Sequence, residues 1–261
     1  ISQFSLLEKA SDKEIELSEK ELAELAKVEE RILNICKTAY KLNVPVFIDA
    51  EESWIQDIID TWAFEMMCLF NKERTIVYNT IQMYRHDRLK FLKSCVQKAV
   101  DKKVSYGVKL VRGAYMEKER ERALDMNYPS PIQIDKQATD DDYNQAQSFI
   151  LDNIHHFSLV AGTHNEESSM QLARQLEKYQ IAKDDHRVFF AQLLGMSDHI
   201  SFNLSSEDFN VAKYVPFGPV KEVMPYLLRR ADENTSVAGQ TSRELSFCLL
   251  YTSPSPRDLM R

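Results

Sequence analysis

Short apolar runs alternate with longer amphipathic segments along nearly the whole chain, and this alternation constrains the fold more than any single motif does. Val44–Asp49, Thr75–Asn79, Tyr106–Val111, Ser158–Ala161, Val188–Gln192 and Val211–Val215 each have the composition of a strand. Between them Trp54–Phe70, Asp87–Asp101, Glu117–Leu124, Tyr143–Asn153 and Glu166–Gln180 have helical character. Leu22, Leu25, Val28, Ile32 and Ile35 recur at three- and four-residue steps and place another helix within Glu8–Leu42. Asn127–Asp142, with Tyr-Pro-Ser-Pro followed by three aspartates, is expected to be a surface turn. Strand and helix in alternation predict an α/β fold with a parallel sheet. About six βα units can be counted, whereas a closed (βα)8 barrel needs eight. The sheet is therefore either open and doubly wound or a barrel short of two units, and the abrupt start at Ile1-Ser-Gln-Phe favours the latter.

Polar residues gather just past the strands. Asp49, with Glu51 and Glu52, follows Val-Phe-Ile; Gln82 follows the second run; Arg112, Gly113 and Tyr115 follow Lys-Leu-Val; Thr163, His164 and Asn165 follow Val-Ala-Gly; Gln192, Leu193 and Gly195 close the fifth; and Tyr214 lies on the sixth. If the strands are parallel, these groups share the C-terminal face, where barrel enzymes carry their sites. Lys109 is the odd residue, a cation in mid-strand, and burial there calls for an anion or a polarisable ligand. An ion pair with Asp49 would serve equally. Asp49-Ala-Glu-Glu is open to two readings, a helix cap or the centre of a metal-dependent lyase or isomerase barrel; a further reading of the whole chain is a non-catalytic barrel fragment that only binds a carboxylate ligand. His164 is compatible with a ligand contact or with an ordinary loop position.

Beyond the last strand, Tyr226, Arg229, Arg230 and Glu233 fall at i, i+3, i+4 and i+7 behind Pro225, which suits a first helical turn. On spacing alone the stripe is either a solvated face with an Arg229–Glu233 pair or a pair of guanidinium forks matched to a carboxylate. A polar face at the strand ends gives such a helix something to cover. The tail from residue 246, with two Ser-Pro steps and no periodicity, has the look of appended sequence.

Composition removes several classes. A net charge of −7 with no Lys/Arg block argues against nucleic acid. No apolar run approaches a membrane span, and no signal peptide opens the chain. Four cysteines without ligand spacing suggest reduced thiols in an intracellular protein. The histidines form no zinc motif, so no metal is expected. No GxGxxG occurs, so a Rossmann dinucleotide site lacks support.

Val-Phe-Ile-Asp49-Ala-Glu-Glu, Val-Lys109-Leu-Val-Arg-Gly-Ala-Tyr115, Thr163-His-Asn, Gln192-Leu-Leu-Gly-Met and Lys213-Tyr-Val-Pro-Phe-Gly through Tyr226-Leu-Leu-Arg-Arg-Ala-Asp-Glu-Asn together resemble proline dehydrogenase. The resemblance runs in order to about residue 245. It implies a (βα)8 TIM-type barrel, incomplete here: about the last six βα units plus the C-terminal substrate-binding helix, residues 1–245, with 246–261 outside the fold. It implies oxidation of L-proline to Δ1-pyrroline-5-carboxylate with FAD on the C-terminal face, electrons passing to a membrane quinone, and a possible peripheral membrane contact. The location implied is the bacterial cytoplasm or inner-membrane face, or the mitochondrial inner membrane and matrix. Arg229 and Arg230 should grip the substrate carboxylate, while Tyr226, Tyr214 and Leu193 wall its ring. Lys109 should lie against the flavin near its reactive nitrogen, with Asp49 ordering the site. Ala50, Gln82, Val111, Arg112, Gly113, Ala114, Tyr115, Thr163 and His164 match flavin contacts. The family's substrate-binding lysine sits on an earlier strand, so the chain is expected to be a fragment beginning after it.

Overall fold

The computed structural model describes residues 4–12, 15–221, 223–224 and 228. Among these, the order is α1 (Phe4–Ser11), α2 (Glu19–Leu42), β1 (Val46–Ile48), α3 (Ser53–Phe70), β2 (Val77–Gln82), α4 (Arg88–Lys102), β3 (Tyr106–Val111), α5 (Met116–Asp125), α6 (Lys136–Asp152), β4 (Phe157–Gly162), α7 (Glu166–Lys178), β5 (Val188–Leu193), α8 (Asp198–Ser206) and β6 (Val211–Tyr214). The chain forms two compact units, residues 1–213 and 214–261.

The six strands lie side by side in sequence order, and each pair from β1 to β5 is parallel. A doubly wound sheet reverses its order at a switch point. A strictly sequential order has no such point and is the arrangement of a barrel wall, which decides between the two sequence-level alternatives.

The register separates the two faces of the sheet. Val77, Tyr106 and Phe157 align on one face, as do Asn79, Val108, Leu159 and Val188, and Ile81, Leu110, Ala161 and Phe190. These side chains meet the helices: Tyr106 stacks on Phe64 of α3, Phe157 packs edge-on against Phe149 of α6, and Asn79 bonds to Asp60 of α3. All are buried. The opposite face carries Phe47, Tyr78, Gly107 and Ser158, then Thr80, Lys109, Val160 and Phe189, then Gln82 with Val111 and Gly162 with Ala191. This interior face is only partly covered, since Phe47 is exposed and Lys109, Val111, Gly162, Phe189 and Ala191 are half-buried.

Several boundaries differ from the sequence expectation. The Glu8–Leu42 stretch is broken: α2 begins at Glu19, where Ser18 and Glu21 form a reciprocal capping box. Of its expected apolar stripe only Val28 and Ile32 are buried, joined by Cys36, while Leu22 and Ile35 are exposed. The second strand lies two residues later than expected, so Gln82 is its last residue rather than one beyond it. Part of the expected turn at Asn127–Asp142 is helical, because Asp135 accepts from Ala138 N and starts α6 at Lys136.

Candidate active site

The C-terminal ends of the strands hold three hydrogen-bonded clusters. The first centres on β1 and β3. Lys109 Nζ donates to Asp49 Oδ1 at 2.5 Å, and Thr80 Oγ1 of the intervening strand reaches the same oxygen at 3.2 Å. The ammonium also lies 5.5 Å from the centre of the Phe47 ring. The Lys109 side chain is 19% exposed and that of Asp49 56%, so the cation is held at the sheet and the carboxylate is the solvent-facing partner. The ion pair expected as one reading of Lys109 exists, and it stands on the open interior face.

Ala50 is buried beside Asp49. The next residues are tied down firmly: Glu51 N donates to Gln56 Oε1 (3.0 Å), Glu51 O accepts from Gln82 Nε2 (2.8 Å), and Glu51 Oε2 accepts from Tyr115 (2.6 Å). Val111 ends β3 half-buried on the interior face. Gly113 and Ala114 are exposed in the loop that follows. Gly113 has φ +138°, and a Cβ there would lie 2.4 Å from the Tyr84 ring, so this turn requires glycine.

The second cluster is built around Arg112. Its Nε donates to Asp140 (2.6 Å), Nη1 to Thr163 Oγ1 (2.8 Å) and Nη2 to Ser168 Oγ (2.9 Å), and its guanidinium sits 4.3 Å from the Tyr143 ring centre. These bonds use three of the five N–H groups of the fork. Burial pushes the Asp140 carboxyl up, but bonds from Lys136 and Arg112 outweigh it and hold the group below its ordinary range. Burial pushes the Tyr143 phenol well up, so it stays protonated. Thr163 is buried and also accepts from Asn165 N at 3.0 Å, shaping the N-terminus of α7.

The third cluster is the loop after β5. His164 Nδ1 pairs with Ser197 Oγ at 3.1 Å. Lys213 Nζ donates to Met196 O (3.0 Å) and Asp198 Oδ1 (2.7 Å), bracing the turn that follows half-buried Leu193. Tyr214 is 46% exposed at the end of β6. Tyr226, Arg229, Arg230 and Glu233, and the tail 246–261, lie outside the described residues.

The structure thus pairs Asp49 with Lys109, joins Gln82 and Tyr115 through Glu51, and joins Arg112 with Thr163. Sequence reasoning missed Thr80, Glu119, Asp140, Ser168 and Lys213. Thr80 could have been found, since it is level with Lys109 once the strand is started two residues later. Glu119, Asp140 and Ser168 sit among charged or polar helical residues and carry no distinguishing signal, whereas Lys213, a cation within the strand β6, carried the same signal as Lys109. Among the described residues no group of three or more His, Cys, Asp and Glu side chains could hold a metal ion, and no helix is long and apolar enough to cross a membrane.

Comparison with known proteins agrees with this architecture. A proline dehydrogenase from Arabidopsis thaliana, designated mitochondrial, is 41% identical over 236 residues, covering 88% of this chain and 50% of the relative. The human mitochondrial proline dehydrogenase is 37% identical over 230 residues, covering 87% and 38%. The chain therefore spans half or less of the length of these relatives. The crystal structure of proline utilization A from Bdellovibrio bacteriovorus, inactivated by N-propargylglycine, superposes with a TM-score of 0.76 at 25% identity, covering 82% of this chain and 22% of that one. A family model described as proline dehydrogenase matches residues 3–243, and on that extent of agreement the chain belongs to the proline dehydrogenase family.

Proposed function

We propose that the chain carries the flavin-binding and catalytic face of an enzyme that oxidises L-proline to Δ1-pyrroline-5-carboxylate, the first step of proline degradation, with FAD as the cofactor and a membrane quinone as the final electron acceptor. The observation that carries this reading is the Lys109–Asp49 pair, a cation held on the open interior face of a barrel wall beside the polar strand ends.

The residues present fit a flavin. Gly162 and Ala191 leave the top of the interior face low, and Lys109 offers positive charge there. Lys109, Gln82, Val111, Arg112, Gly113, Ala114, Tyr115, Thr163, His164 and Ala50 would hold it. When bound, FAD supplies the acceptor for a hydride from the ring carbon next to the proline nitrogen. Lys109 would place a fixed cation where negative charge develops on reduction. Asp49 orients that cation and partly balances it. The substrate amine must be neutral to give up its hydride, and loss of the remaining N–H proton leaves the C=N bond of the product. Arg229 and Arg230 would fix the carboxylate, contributing through orientation, with Tyr226, Tyr214 and Leu193 around the ring. The mitochondrial designation of the relatives favours the mitochondrial inner membrane or matrix.

The test is the purified protein itself. Bound flavin that loses its visible absorbance on adding proline supports the reading. Colourless protein whose activity follows added divalent metal would overturn it, and proline binding without electron transfer would indicate a carboxylate-binding module.

A further inference from the structure

The turn that carries Asp49 is fastened to the segment that carries Lys109 at four successive points. Asp49 pairs with Lys109, Glu51 accepts from Tyr115, Glu52 pairs with Lys118, and Ser53 bonds to Glu119. Each of the first three includes at least one side chain partly open to solvent. In the fourth, Ser53 is half-buried but Glu119 on α5 is fully buried, and its two carboxylate oxygens accept from Ser53 N and Ser53 Oγ, each at 2.6 Å.

This bond sits where α3 has no cap of its own. Its N-cap residue, Glu52, makes no side-chain cap bond and turns instead to Lys118. The first helical N–H groups of any helix lack backbone partners, and a negative group is favoured there. Glu119 meets both needs from a different helix. It lies 66 residues from Ser53 in sequence, yet fixes the start of α3 only four residues after Asp49.

We propose that Glu119 is a positioning residue for the Lys109–Asp49 pair: by capping α3 from α5 it sets the turn on which Asp49 stands, and so sets how far Asp49 balances the charge of Lys109. This rests on the flavoenzyme reading above. Glu51 remains tied to Gln56 and Gln82 if Glu119 is lost, so the turn loosens rather than unravels.

The experiment measures the midpoint potential of the bound flavin in the purified protein and its variants. Asp49→Asn leaves the Lys109 charge less balanced and should raise the potential, because a nearby cation favours the reduced anionic flavin. Glu119→Ala should raise it too, with a lower kcat for proline and little change in KM. Glu119→Gln keeps a carbonyl acceptor for Ser53 N and should return the potential close to the parent value. The double variant Asp49→Asn/Glu119→Ala should shift no further than Asp49→Asn alone, since both act through one group. If Glu119→Ala does not fold, Ser53→Ala, which removes one of the two bonds, should show the same shift at smaller size. A flavoprotein in which these variants lower Tm but leave the potential unmoved, or in which the two shifts add fully, overturns the role of Glu119 alone. Protein that binds no flavin overturns the flavoenzyme reading, and this role with it.

Discussion

Lys109 Nζ lies 2.5 Å from Asp49 Oδ1, although β2 runs between the strands that carry them. The contact is possible because Thr80, the β2 residue level with Lys109, is short and itself donates to Asp49. A larger side chain at that level would separate the pair. Replacing Lys109 by Met keeps the stem that packs on the sheet and removes the charge. Proline-dependent turnover should fall by roughly 10²-fold, in line with loss of one preorganised donor, while flavin content changes little. Steady-state kinetics beside the visible spectrum checks this. Unchanged kcat would remove Lys109 from the chemistry.

Gly113→Ala should act on stability before it acts on binding. The position has φ +138°, and the added Cβ would meet ring atoms of Tyr84 at 2.4–2.6 Å. Overpacking costs about 1–3 kcal/mol, and the backbone conformation itself is one that alanine avoids. A drop in Tm of several degrees is expected, with weaker flavin retention following from displacement of the Arg112–Tyr115 loop. A thermal melt with and without added FAD separates the two effects.

Much of the wall was readable because parallel strands covered on both faces read as short, nearly continuous apolar runs, and this chain sets such runs between amphipathic helices. Lys109 stood out because a cation in an apolar strand has few structural explanations. The anchoring groups were not readable. Glu119 lies in Met-Glu-Lys-Glu-Arg-Glu-Arg, a run that suits a solvated helix, and nothing in it marks the residue that is buried and bonded to Ser53. The three aspartates at 140–142 suggested a turn because acidic runs resist helices, but Asp135 caps the segment and Lys136 and Arg112 bind Asp140. A tertiary partner far away in sequence decided the first case, and a local cap together with one distant cation decided the second.

Acid should weaken the start of β5 in a defined direction. Arg187 donates to Asp185 through Nε and Nη2, at 2.9 and 2.6 Å, and these bonds lower the Asp185 pKa. A carboxylate with a depressed folded pKa contributes fully above its unfolded value of about 3.9 and loses that contribution as pH falls through the folded value. Because Arg187 is 30% exposed, solvent screening limits the pair to about 1 kcal/mol. Asp185→Asn should therefore melt below the parent protein at neutral pH, and the gap should close as the pH is taken below the carboxylate range. A gap that widens in acid would contradict the assignment.

The strongest effect on folding is expected from a pair far from the strand ends. Asp60 of α3 accepts from Arg88 (2.5 Å), Gln56 (2.9 Å) and Asn79 (2.7 Å), and the Asp60 and Arg88 side chains are only 8% and 4% exposed. The Arg88 guanidinium carbon also lies over Phe91, 3.9 Å from its ring centre. The network locks α3 and α4 to the helix-packed face of β2. Arg88→Met fills much of the same space but leaves a buried carboxylate with two neutral donors and no cation. Breaking such a pair from one side costs about 3–5 kcal/mol, whereas removing both charges leaves no uncompensated ion. Arg88→Met should therefore be markedly less stable in urea than the double variant Asp60→Leu/Arg88→Met, even though the double variant deprives Asn79 and Gln56 of their shared acceptor. Equal loss in the two variants would mean that packing of the Arg88 stem, rather than the charge on Asp60, governs the stability of this wall.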